Sequence, residues 1–400
     1  MRAFQSVQAA ARWRPAEDDY RVTRADLKPL GKRLFERFAL ILVPAGLLFI
    51  ALYPSGENYA FDFRVFWDAG HAFIDGQSPY PEQSAAVIAS KQNFLYPAPI
   101  AALFAPLSLL PFGLAAALFS VLVAAAPIVT LWILGVRDWR CYGAVYLGLP
   151  LVLSVGLGTI STFLALGLAV LWKYRDRPVV AAPVLAFLVV SKLFLWPLGL
   201  WFLFTRRSRT AFAAAALGAV ASFFAWWHVG LDTLSVYPDL LRLVAEVEQA
   251  DSFSPTSLGI ALGVSAETAQ LASMALGLLL FGAVAARRSR REDDLTMLVV
   301  ALAAALICSP IVWGHYLVLL FVPLAIARPH FGLIWLATFW MTPDNLQYGS
   351  TTAGTIATVL GLFVIAAVLV ASVRGRDGRV RAMPHHVDAP KSAPAATVAA

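Results

Sequence analysis

Residues 112–135 read FGLAAALFSVLVAAAPIVTLWILG, an uncharged apolar run that is long enough to cross a bilayer as one helix. Similar runs recur along the 400-residue chain, with mostly short gaps between them. Of all residues, 60% are hydrophobic and 14% are charged, whereas soluble domains average about 45–50% and about 25%. Lipid must therefore be the solvent for much of the chain, which excludes a single soluble domain.

The apolar runs predict an all-α, polytopic membrane protein of about 12 spans. The stretch 178–205 contains two of these runs and is alternatively one long tilted helix. Four prolines between 97 and 111 predict a broken, partly inserted helix at 96–110. The spans are expected at 38–53, 112–135, 140–155, 159–173, 178–190, 193–205, 210–227, 268–286, 295–312, 315–328, 331–341 and 354–372.

Basic residues are distributed unequally between the loops. With the N-terminus inside, 27 of the 31 Lys and Arg residues fall in inner segments and three in outer loops. The positive-inside rule then predicts a multi-pass protein of the plasma membrane with both termini in the cytoplasm. Residues 1–37 and 373–400 are expected to be cytoplasmic tails around a membrane domain at 38–372. The second tail has the composition of a disordered segment.

Two long outer loops, at about 54–95 and 228–267, hold 11 of the 24 acidic residues, so chemistry is expected on the outer face. In the first loop, apolar residues recur at helical spacing between Asp62 and Gly76, which predicts an amphipathic helix on the membrane surface. Asp62 has two interpretations. It is the N-cap of this helix, a general base at the boundary between water and lipid, or both, since a capping aspartate is also well oriented.

Two further polar residues lie in or beside apolar runs. Lys192 faces a cavity, pairs with an acid or binds an anion such as a lipid phosphate, or it snorkels from a helix end to the surface. His315 is either an interfacial histidine among the aromatic residues Trp313 and Tyr316, or an imidazole that contacts phosphate or handles protons. Lys192, His315 and Asp62 come from distant parts of the chain. The predicted topology places all three on the outer face of the membrane, at one depth.

Several common signatures are absent from the sequence. It contains no Walker A loop, no Rossmann glycine pattern, no Asp-x-Asp pair and no His/Cys cluster. If the protein is a transferase, its donor must arrive through the membrane. A transporter or lipid flippase is the alternative, and it should show internal repeats and charged residues at unwound helices near mid-membrane. A structural scaffold would leave Lys192 unexplained.

Short motifs in the chain form a recognisable set. They are Asp62 followed by Tyr80-Pro81, Tyr96-Pro97-Ala98-Pro99 with Pro106-Leu107, Lys192 with Pro197, and Ser309-Pro310 with Trp313-Gly314-His315-Tyr316. From about residue 40 to 330 this set resembles glycosyltransferase family 87, which includes phosphatidylinositol-mannoside mannosyltransferases. Gly158-Thr159-Ile160-Ser161 departs from the family's Gly-Gln-x-Asn-like segment, which leaves the sugar or acceptor contacts there open.

The resemblance implies a GT-C-like fold and an inverting transfer that needs no cofactor or metal. A hexose, mannose-like, would move from a polyprenyl-phosphate donor to a lipid or glycan acceptor on the extracytoplasmic face. Asp62 would be the general base, and Lys192 and His315 would bind the donor phosphate. Further substrate contacts are expected from Arg64, Asp68, Tyr96, Thr159 and Tyr316.

Overall fold

The computed structural model describes residues 59–80, 93–248, 252–287, 294–340 and 352–374, together with Arg37, Ile41, Pro44, Ser84 and Ile88. The predicted span at 38–53 and both predicted tails lie almost entirely outside these residues. All regular elements among the described residues are helices, so the all-α prediction is confirmed.

The described helices follow the apolar runs of the sequence closely. In chain order they are α1 (Phe61–Ile74), α2 (Ala98–Ser108), α3 (Phe112–Ile133), α4 (Trp139–Leu147), α5 (Leu149–Leu157), α6 (Ser161–Lys173), α7 (Pro178–Ser191), α8 (Pro197–Phe204), α9 (Ser208–Val229), α10 (Asp232–Glu248), α11 (Pro255–Ala261), α12 (Ala266–Arg287), α13 (Asp294–Cys308), α14 (Phe321–Ala327) and α15 (Thr352–Arg374). Short 3-10 helices lie at Leu193–Leu195, Gly314–Leu320 and Leu333–Trp340.

Three of these helices, α3, α9 and α12, are each long and apolar enough to cross a membrane. Helices α4 and α5 meet at a bend of 62° and form a fourth candidate span. The other apolar helices, such as α6, α7 and α13, are shorter than the roughly 20 residues of a perpendicular span. The total of about 12 spans remains a prediction.

The amphipathic helix predicted in the first long loop is present as α1. Phe63 and Phe66 on its buried face stack against Phe119 and Phe104. The helix packs closely along α2, since a Cβ at Gly70 would lie only 2.0 Å from Ser108 Oγ. The stretch 96–110, expected to be a broken, partly inserted helix, instead contains one continuous short helix, α2, with Pro97 as its N-cap and Pro106 inside it.

The stretch 178–205 forms a helical hairpin rather than one long helix. Asp176 precedes α7 and Arg207 follows α8, yet Arg207 Nε lies 2.8 Å from Asp176 Oδ1. The two ends of the stretch therefore meet, and the chain turns back between them. The turn begins at Lys192, whose extended backbone (φ −144°, ψ 101°) ends α7. The alternative of a single tilted helix is wrong.

Ion pairs join the loops at one end of the bundle, which we call the ion-paired end. Arg175 Nε and Arg207 Nη1 lie 2.8 and 2.7 Å from the two carboxylate oxygens of Asp294. These residues belong to the segments that the distribution of Lys and Arg assigns to the inner side. Helices α7 and α13 both start here, so Lys192 and the residues after Cys308 lie at the opposite end, the site end.

Helix α1 is attached to the site end at its first turn. The Ala60 N–H donates to the Gly156 carbonyl at 2.9 Å, where α5 ends. Gly158 then closes α5 in the left-handed conformation, with φ +71°. A Cβ at Gly158 would lie 2.8 Å from Cβ of Phe63. The absence of a side chain at Gly158 therefore lets α1 approach the turn between α5 and α6.

We expect Gly158→Ala to destabilise the protein. Alanine in the left-handed conformation costs about 1–2 kcal/mol, and the clash with Phe63 adds to this. Thermal unfolding of the detergent-solubilised variant measures the effect. Gly143→Ala is the matched control, because Gly143 lies inside α4 and a Cβ there would meet no atom within 4 Å. Equal unfolding temperatures for the two variants would contradict this packing.

Candidate functional site

Lys192 is the centre of the site because its ammonium group turns inward, towards the protein. Its Nζ donates to the hydroxyl of Tyr316 at 2.6 Å. The same atom lies 4.1 Å from the ring centroid of Tyr96 and 4.5 Å from that of Tyr316. A snorkelling lysine would instead extend its ammonium to the membrane surface. The aromatic rings hold the cation by cation–π contacts, and the snorkelling interpretation is wrong.

The segment that carries Tyr96 is fixed from two sides. The Tyr80 hydroxyl donates to the Tyr96 carbonyl at 3.1 Å, and the Tyr237 hydroxyl donates to the Leu95 carbonyl at 3.2 Å. Tyr237 belongs to α10, the amphipathic helix of the second long loop. Both long loops therefore contribute to the position of the Tyr96 ring beside Lys192.

Asp62 lies in the first turn of α1, on the face that approaches this cluster. Its charge interacts electrostatically with Lys192, Tyr96 and Tyr316. Asp62 is not the N-cap, because α1 begins at Phe61 and its N-cap residue is Ala60, in the left-handed conformation. The N-cap interpretation is therefore wrong, and the carboxylate belongs to the neighbourhood of the cation.

His315 follows the non-helical segment after α13 and is almost fully buried, with 5% of its surface exposed. Its ring interacts electrostatically with Lys192 and lies edge-on to Tyr316. Nε2 has no hydrogen-bond partner among the residues that the structure describes. A buried imidazole nitrogen of this kind is costly unless a ligand or water satisfies it. Its burial rules out the interpretation as an interfacial belt histidine.

Three buried hydroxyl groups add to the site, and the sequence analysis missed them. Ser161 and Thr162 open α6 at the site end, and Ser191 immediately precedes Lys192. Within the described part of the chain, none of their side-chain oxygens has a hydrogen-bond partner. Hydroxyls in apolar helices usually bond to the carbonyl four residues earlier, so the sequence does not distinguish these three from ordinary helical serines and threonines.

Thr159 lies in the turn between α5 and α6 and is fully buried. Its Oγ1 accepts a hydrogen bond from the Ser161 N–H at 3.3 Å, so the hydroxyl supports the start of α6. A contact of Thr159 with substrate remains a prediction. Ser161 and Thr162, which follow after Ile160, carry the side-chain hydroxyls that have no hydrogen-bond partner among the described residues.

Arg64 and Asp68 lie on the exposed face of α1, and the structure does not bring them together with Lys192. Arg64 Cζ stacks 3.4 Å from the ring centroid of Phe112. Partial desolvation raises the pKa of Asp68, although Arg64 and His71 act in the opposite direction. The role of Arg64 and Asp68 as substrate contacts remains a prediction.

The assembled site combines a cation, a carboxylate and several unsatisfied polar atoms in an aromatic surrounding. Such a site can hold an anionic group on Lys192 and His315 and accept a proton on Asp62. Among the described residues, no group of three or more His, Cys, Asp or Glu side chains could hold a metal ion.

Comparison with known protein families identifies the family of this chain. The sequence model of glycosyltransferase family 87 matches residues 94–310, just over half of the chain. The matched region contains Tyr96, Ser161 and Lys192, and it ends shortly before His315. No curated protein and no solved structure matched the sequence. The chain, with its apolar helices and this site, belongs to glycosyltransferase family 87 and is a membrane glycosyltransferase.

Proposed function

We propose that the protein transfers a hexose, mannose-like, from a polyprenyl-phosphate donor to a lipid or glycan acceptor on the extracytoplasmic face. The observation that carries the proposal is the inward-facing Lys192 ammonium beside the buried, unsatisfied Nε2 of His315. Membership of the glycosyltransferase family supplies the reaction class. A cation next to a free imidazole nitrogen suits the phosphate of a lipid-linked sugar.

In the proposed reaction, the oxygen of the acceptor hydroxyl bonds to the anomeric carbon of the donor sugar, and the Asp62 carboxylate takes the proton of that hydroxyl. The bond between the anomeric carbon and the phosphate oxygen breaks on the opposite side, so the configuration inverts. The released polyprenyl phosphate carries the electron pair and gains negative charge. Lys192 and His315 neutralise this charge, which lowers the barrier.

The free hydroxyls of Ser161, Thr162 and Ser191 supply hydrogen bonds to the sugar or the phosphate. Helix α6 packs against both α7 and the 3-10 helix that carries His315. The hydrogen bond from Lys192 to Tyr316 joins the residue after α7 to the same 3-10 helix. Several unsatisfied atoms on adjoining segments favour a polar ligand over a purely structural site, because an empty arrangement would be costly.

The distribution of basic residues supports an orientation with the ion-paired end in the cytoplasm. We expect cysteines at Ser78 and Ser235, both exposed in the outer loops, to react with membrane-impermeant maleimide on intact cells. A cysteine at Ser208, exposed beside Arg207, should react only after permeabilisation. Native Cys141 and Cys308 are buried and give little background. The reverse labelling pattern would overturn the orientation.

The donor class is tested by incubating the purified protein with polyprenyl-phosphate sugars and, in parallel, nucleotide sugars. Product lipids and the released polyprenyl phosphate are analysed by mass spectrometry. We expect turnover with a polyprenyl-phosphate hexose and none with nucleotide sugars in the absence of any lipid-linked donor. Turnover with nucleotide sugars alone would contradict the proposed donor.

A further inference from the structure

A second site lies far from Lys192, at the other end of the bundle. A cavity of about 370 Å³ is lined there by Arg328, His330, Phe331, Gly332, Leu333, Ile334 and Ala371. Most of these residues follow α14, and Ala371 belongs to α15. The Phe331 N–H bonds to Asp138 at the start of α4, and α4 and α5 lead from there to the site end.

The wall of this cavity is held in place by hydrogen bonds from outside it. The indole N–H of Trp335, a fully buried residue, lies 3.1 Å from the Arg328 carbonyl and 3.2 Å from the His330 carbonyl. The Phe331 N–H donates to Asp138 Oδ2 at 2.9 Å. Three positions in the wall, Arg328, His330 and Phe331, are therefore fixed, and the cavity is a formed feature of the fold.

The charge around the cavity favours an anion. Arg328 and His330 both line it, and both side chains are exposed. Asp138, which contacts the cavity wall through the Phe331 N–H, also accepts two hydrogen bonds from the Arg140 guanidinium. These bonds, with help from the Phe331 N–H, lower the pKa of Asp138 to about 2. The Asp138 charge is thus already compensated by Arg140, and no ion pair of Arg328 is seen among the residues that the structure describes.

Apolar surface lies directly beside these polar groups. Leu333 lines the cavity and is 85% exposed, and Ile334 and Ala371 continue the apolar side. A free phosphate ion would use only the polar half of such a cavity. A phospholipid would use both halves, because its headgroup phosphate binds to the basic side and its acyl chains cover the apolar side.

We propose that this cavity is a binding site for one anionic phospholipid, whose phosphate binds Arg328 and His330. The guanidinium offers paired N–H donors to the phosphate oxygens, and the imidazole offers one more. The bound lipid fastens the segment after α14 to α15 at the end opposite the sugar-transfer site. The proposal does not depend on which sugar or acceptor the enzyme uses.

Native mass spectrometry of the full-length protein, titrated with phosphatidylglycerol or phosphatidylcholine, tests the site. We expect saturable binding of phosphatidylglycerol that Arg328→Gln and His330→Gln each weaken about ten-fold. Arg328→Lys, which keeps the charge but not the fork, should recover part of it. Arg209→Gln, which removes an exposed arginine at the start of α9, is the control and should bind phosphatidylglycerol as the wild type does.

Three results would overturn the proposal. Equal binding of the two lipids would remove the requirement for negative charge. If Arg209→Gln weakened binding of phosphatidylglycerol as much as Arg328→Gln does, general surface charge would explain the binding. Inorganic phosphate that displaces phosphatidylglycerol at millimolar concentration would make the ligand a small anion instead of a lipid.

Discussion

Sugar transfer by an Asp62→Asn variant should fall by about 10²- to 10⁴-fold, the contribution typical of general acid–base catalysis. The amide has nearly the shape of the carboxylate but cannot take the proton of an acceptor hydroxyl. Because Asp62 lies inside the first turn of α1 and Ala60 is the N-cap, the exchange removes no capping group. The variant also loses the favourable charge at the helix start, which is worth about 0.3–1 kcal/mol, and the attraction between the Asp62 carboxylate and Lys192.

The matched control for this variant is Asp68→Asn on the same helix. Asp68 is exposed on another face of α1, beside Arg64 and His71, and should be nearly neutral for turnover. Rates are compared at saturating donor, with thermal unfolding to confirm the fold. Loss in Asp68→Asn together with normal turnover in Asp62→Asn would move the base to Asp68. Normal turnover in both would leave α1 without a catalytic base.

Lys192→Met should weaken binding of the lipid-phosphate donor about ten- to hundred-fold, the loss expected when a charge-assisted hydrogen bond disappears. Methionine keeps the length and apolar stem of lysine and can still pack between the rings of Tyr96 and Tyr316. Lys192→Arg should recover only part of the affinity, because its planar fork does not fit the place of a compact ammonium. Binding of a radiolabelled polyprenyl phosphate to purified protein measures the effect.

The control for Lys192 is another lysine held by aromatic rings. Lys173 ends α6 at the ion-paired end, with its Nζ 6.0 Å from the Trp132 ring centroid and 5.7 Å from that of Tyr174. Lys173→Met should leave donor binding unchanged. If both variants bind donor like the wild type, the Lys192 ammonium has only a structural role.

The helices could be predicted from sequence because lipid leaves the chain few alternatives. Backbone groups must be satisfied within each apolar run, so the runs become helices and polar gaps become turns. The hairpin at 178–205 was ambiguous, since the run is interrupted only by Ser191 and Lys192. The ion pair between Asp176 and Arg207, 31 positions apart, decides it, and no local pattern indicates that pair.

The sequence predicted the lysine, histidine and tyrosine residues of the candidate site but not its buried hydroxyl groups. Lys192 is conspicuous because a cation in an apolar run is costly. Its partner Tyr316 is an ordinary interfacial tyrosine by sequence, and only the fold brings the two within 2.6 Å. Only their unsatisfied hydroxyl groups distinguish Ser161 and Thr162 as candidate site residues, and the sequence cannot reveal which hydroxyls are unsatisfied.

The N-cap interpretation of Asp62 fails for a tertiary reason. Aspartate is among the most favoured N-cap residues, so the local sequence supports a helix that starts after it. In the fold, the Ala60 N–H bonds to the Gly156 carbonyl, and the helix starts at Phe61 instead. A contact with a residue about a hundred positions away therefore overrides the local preference.

The most direct test of the account is the location of the bound donor. A short-chain polyprenyl phosphate with a diazirine in its first isoprenyl unit is cross-linked to the purified protein, and the labelled peptides are sequenced. We expect adducts in 159–162, 191–196 and 313–316, which excess natural donor suppresses. If the adducts that natural donor suppresses were found only in 328–334, at the opposite end, the assignment of Lys192 and His315 to the donor phosphate would be contradicted.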